Sequence, residues 1–137
     1  MVEFSIGVTV FFIALFAVLE FGRLLWTHNA LSDAARRGAR YAAITRNDGA
    51  GQTKVRNVMI YGVPDPPVGA TPIVSGLVPG QIDLSYSGFG VKQGTITVRI
   101  TNYQFTFLVP LIGATLTLPE YKTTLTGESA GYEPANL

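Results

Sequence analysis

Few side chains in this sequence could do chemistry, and their types exclude most of it. His28 is the single histidine and there is no cysteine, so disulfides, thiol catalysis, iron–sulfur clusters, zinc–cysteine sites and histidine metal clusters lack their ligands. His28 stands beside Asn29 with no G-x-S-x-G elbow to bring it a serine nucleophile, which marks it as a surface or inter-subunit residue. The carboxylates Asp65, Asp83, Glu120 and Glu128 are scattered along the chain, and no two form an identifiable acid/base couple. Neither G-x-x-x-x-G-K-[ST] nor G-x-G-x-x-G occurs, and no D-x-D-x-D-G calcium loop is present. The chain is read as a non-enzyme, with no catalytic residue, cofactor or metal expected.

The charges whose placement is informative lie near the start. Glu3 opens an apolar run, where a carboxylate held at membrane depth costs about 2.5–3.5 kcal/mol. Either it rests at the headgroup boundary and favours a helix N-terminus through the dipole, or it finds a cation when copies of the chain assemble, most simply a neighbour's N-terminal amine. Glu20 and Arg23 stand at i,i+3 and can neutralise each other. Arg36, Arg37, Arg40 and Arg46 could touch phosphate of lipid or nucleic acid. Ten basic against nine acidic residues leave a net charge of only +1, however, so there is no global field to hold nucleic acid, which is not an expected partner.

These residues need a helix to carry them. At 137 residues the chain has room for one domain with an appended segment. Charged residues are 14% of it, where globular proteins average about 25%, and the apolar excess is concentrated. Phe4 to Leu19 is a run of sixteen uncharged residues broken only by Ser5, Gly7 and Thr9. As a helix it covers about 24 Å, a little short of a hydrocarbon core of about 30 Å. Extending the span through Phe21, Leu24 and Leu25 to Trp26 makes about 34 Å and puts an indole at interface depth. A cleaved signal peptide fits poorly, because Met1-Val2-Glu3 is acidic and the sequence after the apolar core does not switch to a loop. A plain single-pass anchor is the stronger competitor.

The helical pattern runs well past any bilayer. Residues 20–46 hold no proline, and Leu24, Leu31, Ala35, Ala39 and Ala42 keep to one face. A rod reaching residue 46 would be about 69 Å long, with Asn47-Asp48-Gly49 as its stop. Ala30, Ala34, Ala35, Gly38, Ala39, Ala42 and Ala43 give the emergent half a small-residue surface that permits close helix contacts. Part of that surface is expected to lie on the chain's own C-terminal region and part on neighbouring copies.

Beyond the rod, Val55, Val58 and Met59 predict a short helix over Gln52–Tyr61 with Gly62 as its cap. Five prolines in residues 63–80 predict an irregular loop on the exterior. Ile82, Leu84 and Tyr86 alternate before a turn at Ser87-Gly88-Phe89-Gly90. Ile96, Val98 and Ile100 share one phase and Tyr103, Phe105 and Phe107 the other, which requires a bulge or tight turn near Thr101-Asn102. Leu116 with Leu118, then Tyr121, Thr123 and Leu125, complete a small antiparallel sheet of three or four strands. The fold class is α+β, a long N-terminal hydrophobic helix (1–47), a head with a short helix and small sheet (48–129), and a loose tail (130–137).

The polar start with its Glu, the sixteen-residue apolar run, then E-F-G-R, N-A-L-S-D-A-A-R and G-A-R-Y-A in one gapless block, resemble the TadE-like pilins of tight-adherence pili, which are related to type IV pili. The stretch TITVRITNYQFTFLVPLIGATLTL, with its Leu-Val-Pro-Leu centre, and a polar strand ending at Glu128 agree more loosely. The resemblance implies a subunit made with a leader, cut by a prepilin peptidase, held in the inner membrane and moved by assembly machinery into an extracellular filament of identical copies used for surface attachment. No basic leader ending in Gly precedes Met1, so the sequence is expected to be the mature chain, and the acidic residue is third rather than the usual fifth. Glu3, Glu20 and Arg23 are the expected assembly charges. Phe4, Phe11, Phe12, Leu15, Phe16, Leu19, Leu24, Leu31, Ala35, Gly38 and Ala42 are the expected helix-packing residues. Two other readings stand beside the filament subunit: a minor pilin or membrane-anchored initiator of assembly, and a membrane-tethered binding module whose Pro-rich loop engages a surface.

Overall fold

The computed structural model describes residues 1–88, 94–108 and 115–126. Helix α1 runs over Val2–Ile44, about 65 Å of continuous rod. Its buried positions begin only at Glu20 and continue through Thr27, Leu31, Ala34, Ala35, Gly38, Ala39 and Ala42, a three-and-four spacing that makes a single stripe. Among the described residues, no position of α1 before Glu20 is buried. Ser5 and Thr9 donate their hydroxyls to the carbonyls four residues back, at 3.3 and 2.8 Å, so the two polar side chains of the apolar run satisfy themselves within the helix.

The rod ends two residues earlier than residue 46, at Ile44, where Thr45 turns extended and its hydroxyl caps the Tyr41 carbonyl at 2.8 Å. The expected stop at Asn47-Asp48-Gly49 is instead a start. Asp48 is the N-cap of α2 (Gly49–Tyr61), its carboxylate accepting from Gly51 N at 2.6 Å, because a short acceptor side chain satisfies one of the free N–H groups of the first turn. The short helix is therefore three residues longer at its N-terminus than the apolar spacing indicated. Its other end is as expected: Gly62 adopts φ 80° and returns its N–H to Val58 O at 3.0 Å, a left-handed cap that a side chain would strain. Val55, Val58, Met59 and Ile60 face inward.

The Pro-rich loop is more than an exterior connection. Val74 and Leu77 are buried in the core, Ile73 N bonds Ile60 O at 2.8 Å, and the Tyr103 hydroxyl donates to Ser75 O at 2.6 Å. After a 3₁₀ turn at Pro79–Gln81 the chain enters β1 (Ile82–Ser87), then β2 (Thr95–Ile100), β3 (Gln104–Thr106), β4 (Thr115–Thr117) and β5 (Tyr121–Thr126). The strands form two antiparallel sheets rather than one, a three-stranded β1-β2-β5 and a two-stranded β3-β4. Asn102 explains the division: at φ 57° it takes the left-handed region that Asn tolerates better than most residues. That reverses the side-chain phase between Ile100 and Tyr103, so that Ile96, Val98 and Ile100 before it and Tyr103 and Phe105 after it are all buried, with Phe107 partly so.

The register puts Ile82, Ile100 and Tyr121 in one row and Leu84, Val98 and Thr123 in the next. This face closes over the buried stripe of α1, which touches β2 and β5 as well as α2. The opposite face carries Asp83, Arg99 and Lys122, then Ser85, Thr97 and Thr124. The expected turn beyond Gly88, the Val-Pro-Leu part of the strand-rich stretch, Glu128 and the tail 130–137 lie outside the described residues.

Candidate functional site

The free part of α1 is a long apolar surface left open among the described residues. Phe4, Phe11, Phe12, Leu15, Phe16 and Leu19 are all exposed, and an eighteen-residue apolar window of the helix, long enough to cross a membrane, is 0% buried. A soluble domain rarely leaves so large a contiguous apolar surface uncovered. Phe12 stacks on Phe16 at 6.3 Å and meets Phe11 edge-on at 5.7 Å, an aromatic ridge held by α-helical spacing. A shallow groove beside it is lined by Glu3, Phe4, Gly7, Val8, Phe11 and Phe12. Glu3 stands in the first turn of the helix, where a carboxylate is favoured by the dipole.

The rod joins the head through Glu20 and Arg23. Glu20 is only 7% exposed, and its Oε2 accepts from Arg23 at 2.8 Å. The same guanidinium donates to Thr106 O at 2.5 Å and lies 4.2 Å over the Phe105 ring, while Leu108 N approaches Glu20 Oε1 at 3.4 Å. The pair expected from i,i+3 spacing thus exists, but it faces β3 of its own chain. This shortens the free segment. The expected span through Trp26 includes a turn already committed to the head, and residues 2–19 remain, about 27 Å of helix.

One turn further on, His28 Nδ1 lies 2.7 Å from the Tyr121 hydroxyl, with the two rings edge-to-face at 5.2 Å. His28 therefore engages β5 rather than standing as an unattached surface residue. Burial raises the Tyr121 hydroxyl above the ordinary tyrosine range, with Tyr103 adding to the effect. Tyr103 is also raised by burial, against an opposing pull from the Arg23 charge. Both phenols are kept protonated where they act as buried hydrogen-bonding groups.

The remaining expected packing residues divide sharply. Leu24 is half-buried against the core, and Leu31, Ala35, Gly38 and Ala42 are covered by the chain's own head. Gly38 is there for closeness, since a Cβ on it would collide with Cγ and Sδ of the buried Met59. Arg36, Arg40 and Arg46 are exposed and Arg37 pairs with Asp33. Among the described residues no group of three or more His, Asp or Glu could hold a metal ion.

The contacts of Arg23 and His28 with the sheets join residues 83 and 93 apart, and no local pattern in the sequence carries them. Val74 and Leu77 had a signal, two apolar residues isolated among prolines. The TadE-like protein family model matches residues 1–40, which is the free segment, the Glu20–Arg23 junction and most of the buried stripe. Over that range the rod is similar to TadE-like proteins. The matched range is under a third of the 137-residue chain. The head beyond residue 40 lies outside the matched range. Neither the comparison with curated proteins nor that with solved structures found a match.

Proposed function

We propose that the chain is a structural pilin that polymerises through α1 into an extracellular tight-adherence filament for surface attachment. The observation that carries the reading is the exposure of an eighteen-residue apolar window of α1, none of it buried among the described residues. Leaving that surface in water would cost on the order of tens of kcal/mol at about 25 cal/mol per Å². Residues 2–19 therefore wait in the inner membrane and pass directly from lipid into a bundle of identical helices. Lipid is as apolar as the bundle, so the transfer must be favoured by close packing and polar pairing rather than by burial itself.

In this reading Phe4, Phe11, Phe12, Leu15, Phe16 and Leu19 pack against other copies, and Glu3 is the assembly carboxylate, pairing with a neighbour's N-terminal amine. Glu20 and Arg23 serve assembly from within, by fixing the head to the rod so that each copy presents the same geometry. Leu31, Ala35, Gly38 and Ala42 set the seating of the head. Prepilin peptidase and the pilus assembly machinery are the partners of the precursor. Electron microscopy of the purified protein tests the reading: long fibres of one repeating subunit are expected, and dispersed detergent-bound particles alone would point to a minor or initiating subunit. Glu3→Ala should insert in the membrane yet yield few fibres, and an unchanged yield would refute its role.

A further inference from the structure

The head leaves part of its own apolar surface open at the level where the rod would leave the membrane. Residues 2–19 supply about 27 Å of helix against a hydrocarbon core of about 30 Å, so the boundary falls at Glu20 and Phe21. The end of β3 stands at that height, because Arg23 holds Thr106 O at 2.5 Å and Leu108 N lies 3.4 Å from Glu20 Oε1. Leu108 is 74% exposed and Phe21 59%. Leu116, paired with Phe105 across β3 and β4, is 42% exposed.

We propose that the β3–β4 edge of the head, through Leu108 and Leu116, seats in the outer lipid interface beside Phe21, giving the unassembled subunit a second membrane contact. The inference rests on residues 2–19 spanning the membrane. Lipid is the occupant because Leu108 lies beside Glu20, at the depth where the free helix leaves the membrane, next to the exposed Phe21. The two charges at that depth are each other's partners, and each takes one further backbone bond, Arg23 to Thr106 O and Glu20 from Leu108 N, so no lone charge enters the interface. Leu25 and Trp26 are exposed a turn farther out, at headgroup depth, where an indole leaning back towards the helix N-terminus is at home. The contact fixes the height of the head above the bilayer and gives the subunit a defined tilt before assembly.

The chain has no cysteine, so single cysteines can carry a nitroxide cleanly. Phe11→Cys, Leu108→Cys, Leu116→Cys and Ile44→Cys full-length chains are labelled and reconstituted in vesicles of phosphatidylethanolamine with phosphatidylglycerol. Collision rates with oxygen and with a polar nickel chelate are then read by electron paramagnetic resonance. The oxygen-to-nickel ratio should be several-fold higher at 11, 108 and 116 than at Ile44, which is exposed near the far end of the rod. A protected label at 11 with labels at 108 and 116 as open to nickel as that at 44 would overturn the inference while leaving the membrane span intact. An open label at 11 would sink both. Protection at 108 only in filaments would assign the patch to a second copy of the chain and likewise overturn it.

Discussion

Arg23 does three things at once, and each has a separate consequence. It neutralises Glu20, it donates to the Thr106 carbonyl and it lies over Phe105. Removing it leaves a nearly buried carboxylate without its cation, so Arg23→Ala should lower head stability by about 1–3 kcal/mol, read from the urea midpoint in detergent. Arg23→Lys should recover only part of that loss, since an ammonium keeps the charge but not the planar fork or the stacked face. Full recovery would mean that charge alone matters. The buried tyrosines predict a pH limit of definite sign. Tyr103 and Tyr121 have folded-state values raised above the ordinary tyrosine value of about 10 by burial, so the unfolded chain loses their protons first as pH rises. Their contribution is whole below about pH 10 and falls away above it. Thermal melts of the head should be flat with respect to these groups at pH 8–9 and shift downward beyond about 10, and Tyr103→Phe should shrink that shift. Spacing alone disclosed the Glu20–Arg23 pair, because i,i+3 neighbours must meet on a helix. It was silent on Thr106, Phe105 and Tyr121, because their proximity is set by how the whole chain closes.

Among the elements, the Pro-rich loop departs most from its sequence expectation. Prolines and glycines mark where a chain cannot be regular, and they say nothing of whether the apolar residues between them are used. Here Val74 and Leu77 fill the core while the prolines shape the path between them. Leu77→Ala should therefore cost about 2–5 kcal/mol, the range for a fully buried leucine, measurable as a lower unfolding midpoint. Deleting residues 64–79 would remove both core residues and the Ser75 carbonyl that Tyr103 uses, so the head should lose its cooperative unfolding transition. A surface-binding loop that could be deleted while the head stayed intact would be incompatible with this packing. Other elements were open to sequence reasoning for physical reasons. The short helix and its Gly62 cap follow from spacing and from glycine's freedom at positive φ, and the phase reversal between Ile100 and Tyr103 demanded a break that Asn102 supplies. What phase could not reveal is that the strands on either side of the break belong to different sheets.

At the scale of the whole molecule, the chain divides between a head that completes its own core and a rod that leaves half its length without one. None of the core residues precedes Leu24 among the described positions, and the buried stripe of α1 begins at Glu20. Removing residues 2–16 should therefore take away no head contact, while the turn at Ala17–Leu19 still precedes Glu20 and keeps the junction with Arg23 formed. The shortened chain is expected to be a monomer in water without detergent, with head stability within about 0.5 kcal/mol of the full chain's, the usual range for changes away from a core. The full chain should require detergent or lipid under the same conditions. A shortened chain that failed to fold, or still needed detergent, would mean that the apolar helix is covered by its own protein after all. With that, the reason for passing it from a bilayer to neighbouring copies would disappear.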